Sequence, residues 1–264
     1  MKRVAKPFRV LAFSDSHGNA DSIRRLTELE AKNRYDAILA PGDIGSCDAR
    51  DMNVIDSIRL LEDFNCPVLF VLGNSDPELI RRTNHWPSFA EPLHQRLVTI
   101  SGFTFSGLDG IFDVSESRSK DNDYPMKTAR RLLSEAVKKD IDPRRLIITT
   151  HERLPKIHDA CGDCTPLAYM FGHIHSPACT EWKETTNINT SILDGNRSAW
   201  GAGNYWVIEA WRGRLRATPK PLNQPNEFRL NNFLECIELV GQSHRHKQQL
   251  TIFRQLYPDI EIPF

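Results

Sequence analysis

Seven side chains that can bind a metal ion follow apolar stretches at five points of the sequence. They are Asp15, His17, Asp43, Asn74, His151, His173 and His175. Short apolar stretches of this kind predict strands, and in α/β proteins ligands bind at the carboxyl ends of the strands. Because all five stretches end in this way, we expect the seven groups to meet at one edge of the fold.

The chemistry of these donors favours transition metals. Carboxylates, imidazoles and an amide oxygen suit Mn²⁺, Fe or Zn²⁺, and the lack of thiolates argues against a structural cysteine zinc site. Seven donors are too many for one such ion, but they suit two ions that share a carboxylate. In a regular strand successive side chains point to opposite faces of the sheet, and this alternation would oppose the convergence of each D-x-H and H-x-H pair on one site. We therefore expect these pairs on loops just past the strand ends. Glycines that help the chain to turn there are Gly42, Gly73 and Gly172.

Each of these residues alone has an ordinary structural explanation. An Asp after a strand often caps a helix, and a single His often lies in a protein core. That explanation weakens for the whole set, because four of the nine histidines stand at such positions.

The surrounding pattern predicts a β-α-β-α-β unit and then a strand-rich second half. The predicted strands of the unit are Phe8–Ser14, Ala37–Ala40 and Val68–Leu72, and its helices are Asp21–Asn33 and Val54–Phe64. The second half contains a hairpin over Leu97–Leu108, a helix over Met126–Lys139, and strands at Leu146–Thr150, Leu167–Phe171, Asn187–Leu193, Tyr205–Trp211 and Leu215–Pro219. We expect two sheets packed face to face with helices outside.

A Pro/Asn-rich linker follows Pro219 and suggests a domain over 1–219 with a helical extension over 220–264 docked on it. The segment Cys236–Phe253 mixes apolar and basic residues. A docked helix with a solvated basic face is the simplest interpretation; a dimer helix, a substrate lid or a nucleic-acid contact are the alternatives.

Composition excludes several classes of protein. Hydrophobic residues make up 40% and charged residues 26%, which is typical of a globular protein, and 34 basic residues balance 34 acidic ones, so charge does not indicate a nucleic-acid partner. No apolar run is long enough for a membrane span, and Val10–Phe13 is too short for a signal peptide, so we expect a cytoplasmic protein without a membrane partner. Cys161 and Cys164 form a lone CxxC, which is half of a zinc site, a redox pair or simply two loop thiols, and the last is favoured.

The ordered motifs resemble those of the calcineurin-like metallophosphoesterase family. They are Asp15-Ser16-His17, Gly42-Asp43, Gly73-Asn74, His151 and Gly172-His173-Ile174-His175. The resemblance implies an α/β fold, a four-layer β-sandwich flanked by helices, here with a C-terminal helical appendage. It also implies one metal ion on Asp15, His17 and His175, a second on Asn74, His151 and His173, and Asp43 bridging the two together with a hydroxide.

The resemblance further implies phosphoester hydrolysis, in which the bridging hydroxide attacks phosphorus. Asp43, His151 and Asn74 would act through the metals and the hydroxide. Mn²⁺ is favoured, with Fe, Ni²⁺ or Zn²⁺ as alternatives. The substrate would be a small phosphoester or a nucleotide-type compound.

The third motif departs from the family pattern. The family often has Gly-Asn-His followed by an acid, whereas this chain has Gly73-Asn74-Ser75-Asp76. Ser75 cannot act as a cationic acid, so esters with poor leaving groups would be hydrolysed more slowly. The resemblance implies a preference for phosphodiesters over monoesters, because family members with a similar loss act mainly on diesters. His158 is the candidate replacement for the missing histidine. Asp76 is interpreted as the cap of a following helix.

Two further residues are candidate substrate contacts. Asn19 either touches the substrate phosphate or caps the helix that follows it, and Ser75 is the second candidate. Two rival functions stay open: a non-catalytic metal-binding scaffold for protein interactions, and a nuclease of the same fold. An oligomer could form through the C-terminal helix.

Overall fold

The computed structural model describes residues 6–48, 51–77, 80, 85–112, 125–137, 141–161, 164–240 and 244–262. Twelve strands are described: β1 Phe8–Ala12, β2 Ala37–Pro41, β3 Val68–Val71, β4 Ala90–Pro92, β5 Val98–Ile100, β6 Phe103–Leu108, β7 Leu146–Thr150, β8 Ala168–Phe171, β9 Ala178–Trp182, β10 Thr185–Asn189, β11 Asn204–Trp211 and β12 Arg214–Pro221. The described helices are α1 Ala20–Glu30, α2 Val54–Arg59, α3 Met126–Ala136, α4 Ile157–Ala160, α5 Glu227–Val240 and α6 His244–Leu256.

The strands form two six-stranded sheets. The first has the order β12-β11-β1-β2-β3-β4 and the second the order β5-β6-β7-β8-β10-β9. Strands β1, β2 and β3 pair in parallel, and so do β7 and β8. Their carboxyl ends therefore lie at a common edge within each sheet. The expectation of two face-to-face sheets with outer helices is confirmed.

Alternation along the strands builds the layers. In β1, Val10 and Ala12 join the core between the sheets, whereas Leu11 faces the outer layer. There it meets Ile23 of α1 and Ile58 of α2. On the other side of the sandwich, helices α3 and α4 cover the second sheet in the same manner. Burying both faces explains why the central strands are apolar throughout, as is expected of buried parallel strands.

The C-terminal helices complete the core between the sheets. Leu230 of α5 and Phe253 of α6 belong to the same buried cluster as Trp200, and Phe253 packs edge-on against the Trp200 ring with the centroids 5.5 Å apart. Strand β12 continues to Pro221. The division of the chain at residue 219 stays a prediction. Within the described residues, no helix has the length and apolar character needed to cross a bilayer.

Some predicted boundaries differ from the structure. The helix predicted over Val54–Phe64 is α2 up to Arg59 and then a separate 3-10 turn at Glu62–Phe64, which ends where Asn65 adopts a left-handed conformation. The strand predicted over Asn187–Leu193 is β10, which ends at Asn189. There the Asn189 side chain accepts the Ser191 N–H, and Ser191 has a φ of 59°, so the chain turns away from the sheet.

Candidate metal centre

Five strand ends bring the seven predicted donors to one edge of the sandwich. Asp15 and His17 follow β1, Asp43 follows β2 and Asn74 follows β3 in the first sheet; His151 follows β7, and His173 and His175 follow β8 in the second. Because the parallel strands of both sheets end at this edge, the donors face each other across the gap between the sheets. Most are fully buried, whereas His173 and His175 are half-buried and Asn74 is exposed.

One group of contacts surrounds Asp15. The Nε2 atoms of His17 and His175 lie 3.2 Å apart, and His175 Nε2 lies 3.3 Å from Asp15 Oδ1. These three side chains offer ligand atoms within 4.8 Å of one another. They are the residues that the resemblance assigned to the first ion.

A second group of contacts surrounds His151. Its Nε2 lies 3.0 Å from Asn74 Oδ1 and 3.4 Å from Asp43 Oδ2. The His173 ring packs edge-on against the His151 ring, with centroids 5.0 Å apart. Asp43 also lies 3.7 Å from His17 Nδ1, so its carboxylate stands between the two groups. Asp15, Asp43 and His151 also form a close set of ligand atoms, so either carboxylate has the geometry to be shared.

Supporting contacts fix the orientation of these side chains. His151 Nδ1 lies 2.9 Å from the carbonyl oxygen of Pro41, which leaves Nε2 facing the site. The oxygens of Asp15 accept the backbone N–H of His173 at 3.1 and 3.2 Å, and Asp15 also accepts the hydroxyl of Ser14. Such outer contacts are typical of metal ligands, because they set the ring orientation and the basicity of the donor.

The charges of the centre are strongly coupled. Burial alone would raise the pKa of Asp43, but the neighbouring His151 holds it well below its usual range. Conversely, burial would lower the pKa of His151, yet the charge of Asp43 raises it to about 10. Burial lowers the pKa of His17 and of His173. The latter two imidazoles are therefore neutral at pH 7, which is the form that binds a metal.

The backbone at five of the donors is left-handed. Asp15, His17, Asp43, His173 and His175 have φ between 48° and 67°. Non-glycine residues adopt this region infrequently, although Asp and His do so more readily than most. Five such residues in one cluster indicate that the loops past the strand ends are shaped to direct these side chains, because such conformations persist only where the surroundings impose them.

Two glycines leave the space that the ligands occupy. A Cβ atom at Gly42 would lie 2.6 Å from Nδ1 of His151, and φ is +84° there. A Cβ atom at Gly73 would lie 2.1 Å from Oδ1 of Asp43. Either substitution would displace a donor, so close approach requires glycine at both positions, and at Gly42 the positive φ favours it as well.

Ser75, where the family often has histidine, contacts Asp43. Its backbone N–H donates to Asp43 Oδ1 at 2.7 Å and its hydroxyl donates to Asp43 Oδ2 at 2.9 Å. The next residue, Asp76, is buried and accepts the N–H groups of Gly45 and Gly73, both at 2.8 Å. The helix predicted to begin at Pro77, with Asp76 as its cap, would run through residues 78–79, which lie outside the described residues.

The donors present fit divalent ions. Two imidazole nitrogens 3.2 Å apart need a shared proton or cation between them, and His17 Nδ1 is buried without a hydrogen-bond partner among the described residues. A set of hard oxygens and imidazoles matches the ligand preferences of Mn²⁺, Fe and Zn²⁺. The assignment of individual donors to individual ions stays a prediction.

Of the remaining predicted residues, Asn19 lines the same cleft as His17, whereas His158 lies apart from the strand ends. Asn19 caps α1 by accepting the Ser22 N–H at 3.1 Å, while its amide donates to Asp194 Oδ1 at 2.9 Å. His158 lies on α4 with its ring 4.6 Å from that of Trp182, and it is not among the residues brought together at the strand ends. Burial lowers its pKa.

Sequence reasoning missed two residues beside the centre. Asp194 was not predicted as a site residue; it begins a 3-10 turn, accepts the side-chain amide of Asn19 and lies 3.4 Å from the guanidinium of Arg197. Arg197 lines the same cleft as His17. The signal that could have located Asp194 is its position directly after the apolar pair Ile192-Leu193, which parallels the other strand ends.

Comparison with known proteins gives a consistent result. Solved structures with a similar fold include TT1561 of Thermus thermophilus (15% identity, covering 82% of this chain and 100% of that chain, TM-score 0.62) and a protein described as a novel archaeal phosphodiesterase (15%, 80% and 99%, 0.51). GAP50, described as the anchor in the inner membrane complex of Plasmodium, is also similar, with 13% identity, coverage of 98% of this chain and 98% of that chain, and a TM-score of 0.54. At these identities the likeness concerns the fold. No curated protein sequence matches this chain significantly.

The sequence profile of the calcineurin-like phosphoesterases matches residues 8–177, which is more than half of the chain and includes all seven donors. Together with the two-sheet architecture, this match places the protein in the calcineurin-like phosphoesterase family.

Proposed function

We propose that the protein hydrolyses phosphodiesters with the help of two divalent ions, of which Mn²⁺ is the favoured species. The observation that supports this proposal is the convergence of seven oxygen and nitrogen donors at one edge, with Asp43 between two groups of imidazoles. Seven donors exceed what one transition metal takes, and a shared carboxylate is the usual link in a two-ion site.

When bound there, two divalent ions would polarise a phosphate and would lower the pKa of a water, which would supply a nucleophile near neutral pH. The residues of the chain fix the positions of the ligand atoms around the ions. Asp43 and Asp15 hold carboxylate oxygens at fixed positions, and His151 is held by Pro41 with Nε2 directed inward. The burial of these groups excludes water and strengthens their electrostatic effect on a phosphate.

Ser75 supports the preference for diesters. A hydroxyl bound to Asp43 is neither a cation nor a strong acid, so it gives little help to a leaving alkoxide and none to the dianion of a monoester. We therefore expect the Mn²⁺-loaded protein to hydrolyse bis-p-nitrophenyl phosphate faster than p-nitrophenyl phosphate. Faster turnover of the monoester would contradict the diester preference, and turnover of neither ester would favour the alternative of a metal-binding scaffold.

The central test of the metal site is Asp43→Asn. Removal of the carboxylate charge between the two groups should lower kcat/KM by at least about 100-fold, and metal analysis should find fewer bound ions per chain. Asp63→Asn is the matched control, because Asp63 is an exposed acid away from the strand ends. Full metal content and activity in Asp43→Asn would refute the two-ion proposal.

A further inference from the structure

A cleft of about 330 Å³ opens directly beside the candidate metal ligand His17. We call it the His17 cleft; besides His17, the lining residues that matter here are Asp21, Asp51, Met52, Asn196 and Arg197. Most of these side chains are polar, and Met52 is the one large apolar side chain among the lining residues. A cavity that starts at a metal ligand has the right position for an ester group of a substrate whose phosphate lies on the ions.

Arg197 is held in this cleft by a chain of contacts. Its Nε lies 3.4 Å from Oδ2 of Asp194, a buried carboxylate that itself accepts the amide of Asn19 at 2.9 Å and the N–H of Asn196 at 3.0 Å. Within the part of the chain that the structure describes, the ion pair of Arg197 uses Nε and leaves the two terminal nitrogens of the guanidinium for a ligand. A guanidinium fork matches the oxygens of a phosphate.

Ser75 stands where the family often has a histidine, and it brings no positive charge to the substrate phosphate. Ser75 is neutral and directs its hydroxyl to Asp43. Arg197 approaches the centre from another side, through the cleft that it shares with His17. A guanidinium there can bind a non-bridging phosphate oxygen without replacing any metal ligand.

The rest of the lining indicates the kind of ester group that fits. The carboxylates of Asp21 and Asp51 offer hydrogen-bond acceptors, which match the hydroxyl groups of a sugar or polyol. Asp21 pairs with Arg24 at 3.2 Å, so the negative charge that disfavours a second phosphate here is that of Asp51. A large aromatic group would find little apolar surface next to Met52.

We propose that Arg197 binds a non-bridging oxygen of the substrate phosphate, and that the His17 cleft takes a hydroxyl-bearing ester group of the polyol or sugar type. This inference rests on the proposed phosphodiesterase function and specifies its substrate class. It makes Arg197 a substrate-binding residue.

The experiment compares two diesters that share the p-nitrophenol leaving group: glyceryl p-nitrophenyl phosphate and methyl p-nitrophenyl phosphate. The Mn²⁺-loaded full chain should favour the glyceryl diester by about tenfold in kcat/KM, since hydrogen bonds to charged groups discriminate by roughly that amount. Arg197→Met should raise KM for both diesters by about tenfold or more, and Arg197→Lys should recover part of the loss.

Arg59→Met is the matched control. Arg59 is likewise exposed and paired with an Asp three residues away in sequence, Asp56, at 2.9 Å, but it lies on α2. It should leave both KM values unchanged. Kinetics of Arg197→Met equal to those of Arg59→Met would overturn the role of Arg197, and equal use of the two diesters by the unmodified protein would overturn the substrate class.

A binding measurement separates this inference from the proposed function. Inorganic phosphate should bind the Mn²⁺-loaded protein about tenfold more weakly after Arg197→Met, as measured by calorimetry. If the unmodified protein hydrolyses neither diester, the proposed function fails, while the difference in phosphate affinity still decides the role of Arg197. Thermal unfolding of both Arg197 variants checks that lost binding does not reflect a lost fold.

Discussion

At Ser75 a small change of side chain alters the chemistry expected of the whole site. Its hydroxyl and backbone N–H both donate to Asp43, the carboxylate between the two groups of imidazoles. These two contacts help to set the orientation of the Asp43 carboxylate. The role of Ser75 as a substrate contact stays a prediction, and a positioning role through Asp43 is the alternative that its contacts suggest.

Ser75→Ala tests this role. The substitution removes the hydroxyl contact to Asp43 but keeps the backbone one, so we expect Mn²⁺ affinity to fall by about tenfold, as for other partners of metal ligands. Titration with Mn²⁺ followed by calorimetry measures the change. Ser57→Ala is the control, because the buried Ser57 hydroxyl has no partner among the described residues. A higher KM with unchanged metal affinity would instead restore the substrate-contact role of Ser75.

At the scale of the elements, the loops after the strands are as important as the strands. Gly73 follows β3 so closely beside Asp43 that there is no room for a Cβ atom.

The first sheet also depends on a buried carboxylate at the end of α1. Glu30 accepts the hydroxyl of Tyr205 on β11 at 2.7 Å and that of Tyr35 in the loop before β2.

Gly73→Ala should disrupt the metal site without unfolding the sheets. The added methyl would displace the Asp43 carboxylate, so Mn²⁺ binding should weaken by at least about tenfold while the far-UV circular dichroism stays unchanged. Gly213→Asn is the control. Gly213 lies in the β11–β12 hairpin, where its Cβ would have room, 3.5 Å from Arg144; its φ is positive, and asparagine tolerates such a turn. Normal Mn²⁺ binding by Gly73→Ala would show that the loop can move aside.

Tyr205→Phe tests the link between α1 and β11. Buried Glu30 would lose one donor, and the free energy of unfolding should fall by about 1–3 kcal/mol in a urea titration. Tyr257→Phe is the comparison, because Tyr257 donates to the neutral carbonyl of Asn223 at 2.7 Å and should cost less. Equal losses in the two variants would argue against the special contribution of the charged acceptor.

The hydrogen bond from Tyr205 to Glu30 also predicts that the free energy of unfolding depends on pH. Burial, reinforced by Glu30, raises the pKa of Tyr205 above its ordinary value of 10.0, so the folded protein keeps this proton when the unfolded chain loses it. The contribution of Tyr205 is therefore fully present below pH 10 and is lost as the pH rises above it. Tyr205→Phe should show a shallower fall of stability in that range.

The sequence predicted the strands that carry the donors because these strands are buried on both faces and read as continuous apolar runs. It did not predict β9, whose residues Ala178–Trp182 are largely exposed and form no continuous apolar run, or β4, which is short and ends in proline. The donors were found because each follows an apolar run. Arg197 was not found, because it does not itself follow an apolar run; it reaches the cleft beside His17 through its ion pair with Asp194.

For the whole molecule, the metal centre lies where the two sheets meet. Three strands of the first sheet and two of the second supply the donors, so bound ions would connect the two halves of the sandwich. The order of the strands within the sheets depends on long-range pairing, such as β11 beside β1, and local patterns do not determine it.

Addition of Mn²⁺ should therefore raise the stability of the whole fold. At a free concentration 100 times the Kd, the gain is about 2.7 kcal/mol for one site, which corresponds to several degrees in Tm. Differential scanning calorimetry with Mn²⁺ and with EDTA measures the shift, and Asp43→Asn should show a much smaller one. An unchanged Tm at saturating Mn²⁺ would mean that the ions do not prefer the folded chain.

The five donors with left-handed backbone have a consequence for protein engineering. Each such conformation costs on the order of 1 kcal/mol, and glycine or asparagine would relieve it. Variants selected only for heat resistance would therefore accumulate these smaller residues at the strand ends, whereas variants selected for turnover would keep acids and imidazoles there. Stability and catalytic activity therefore favour different residues at the strand ends.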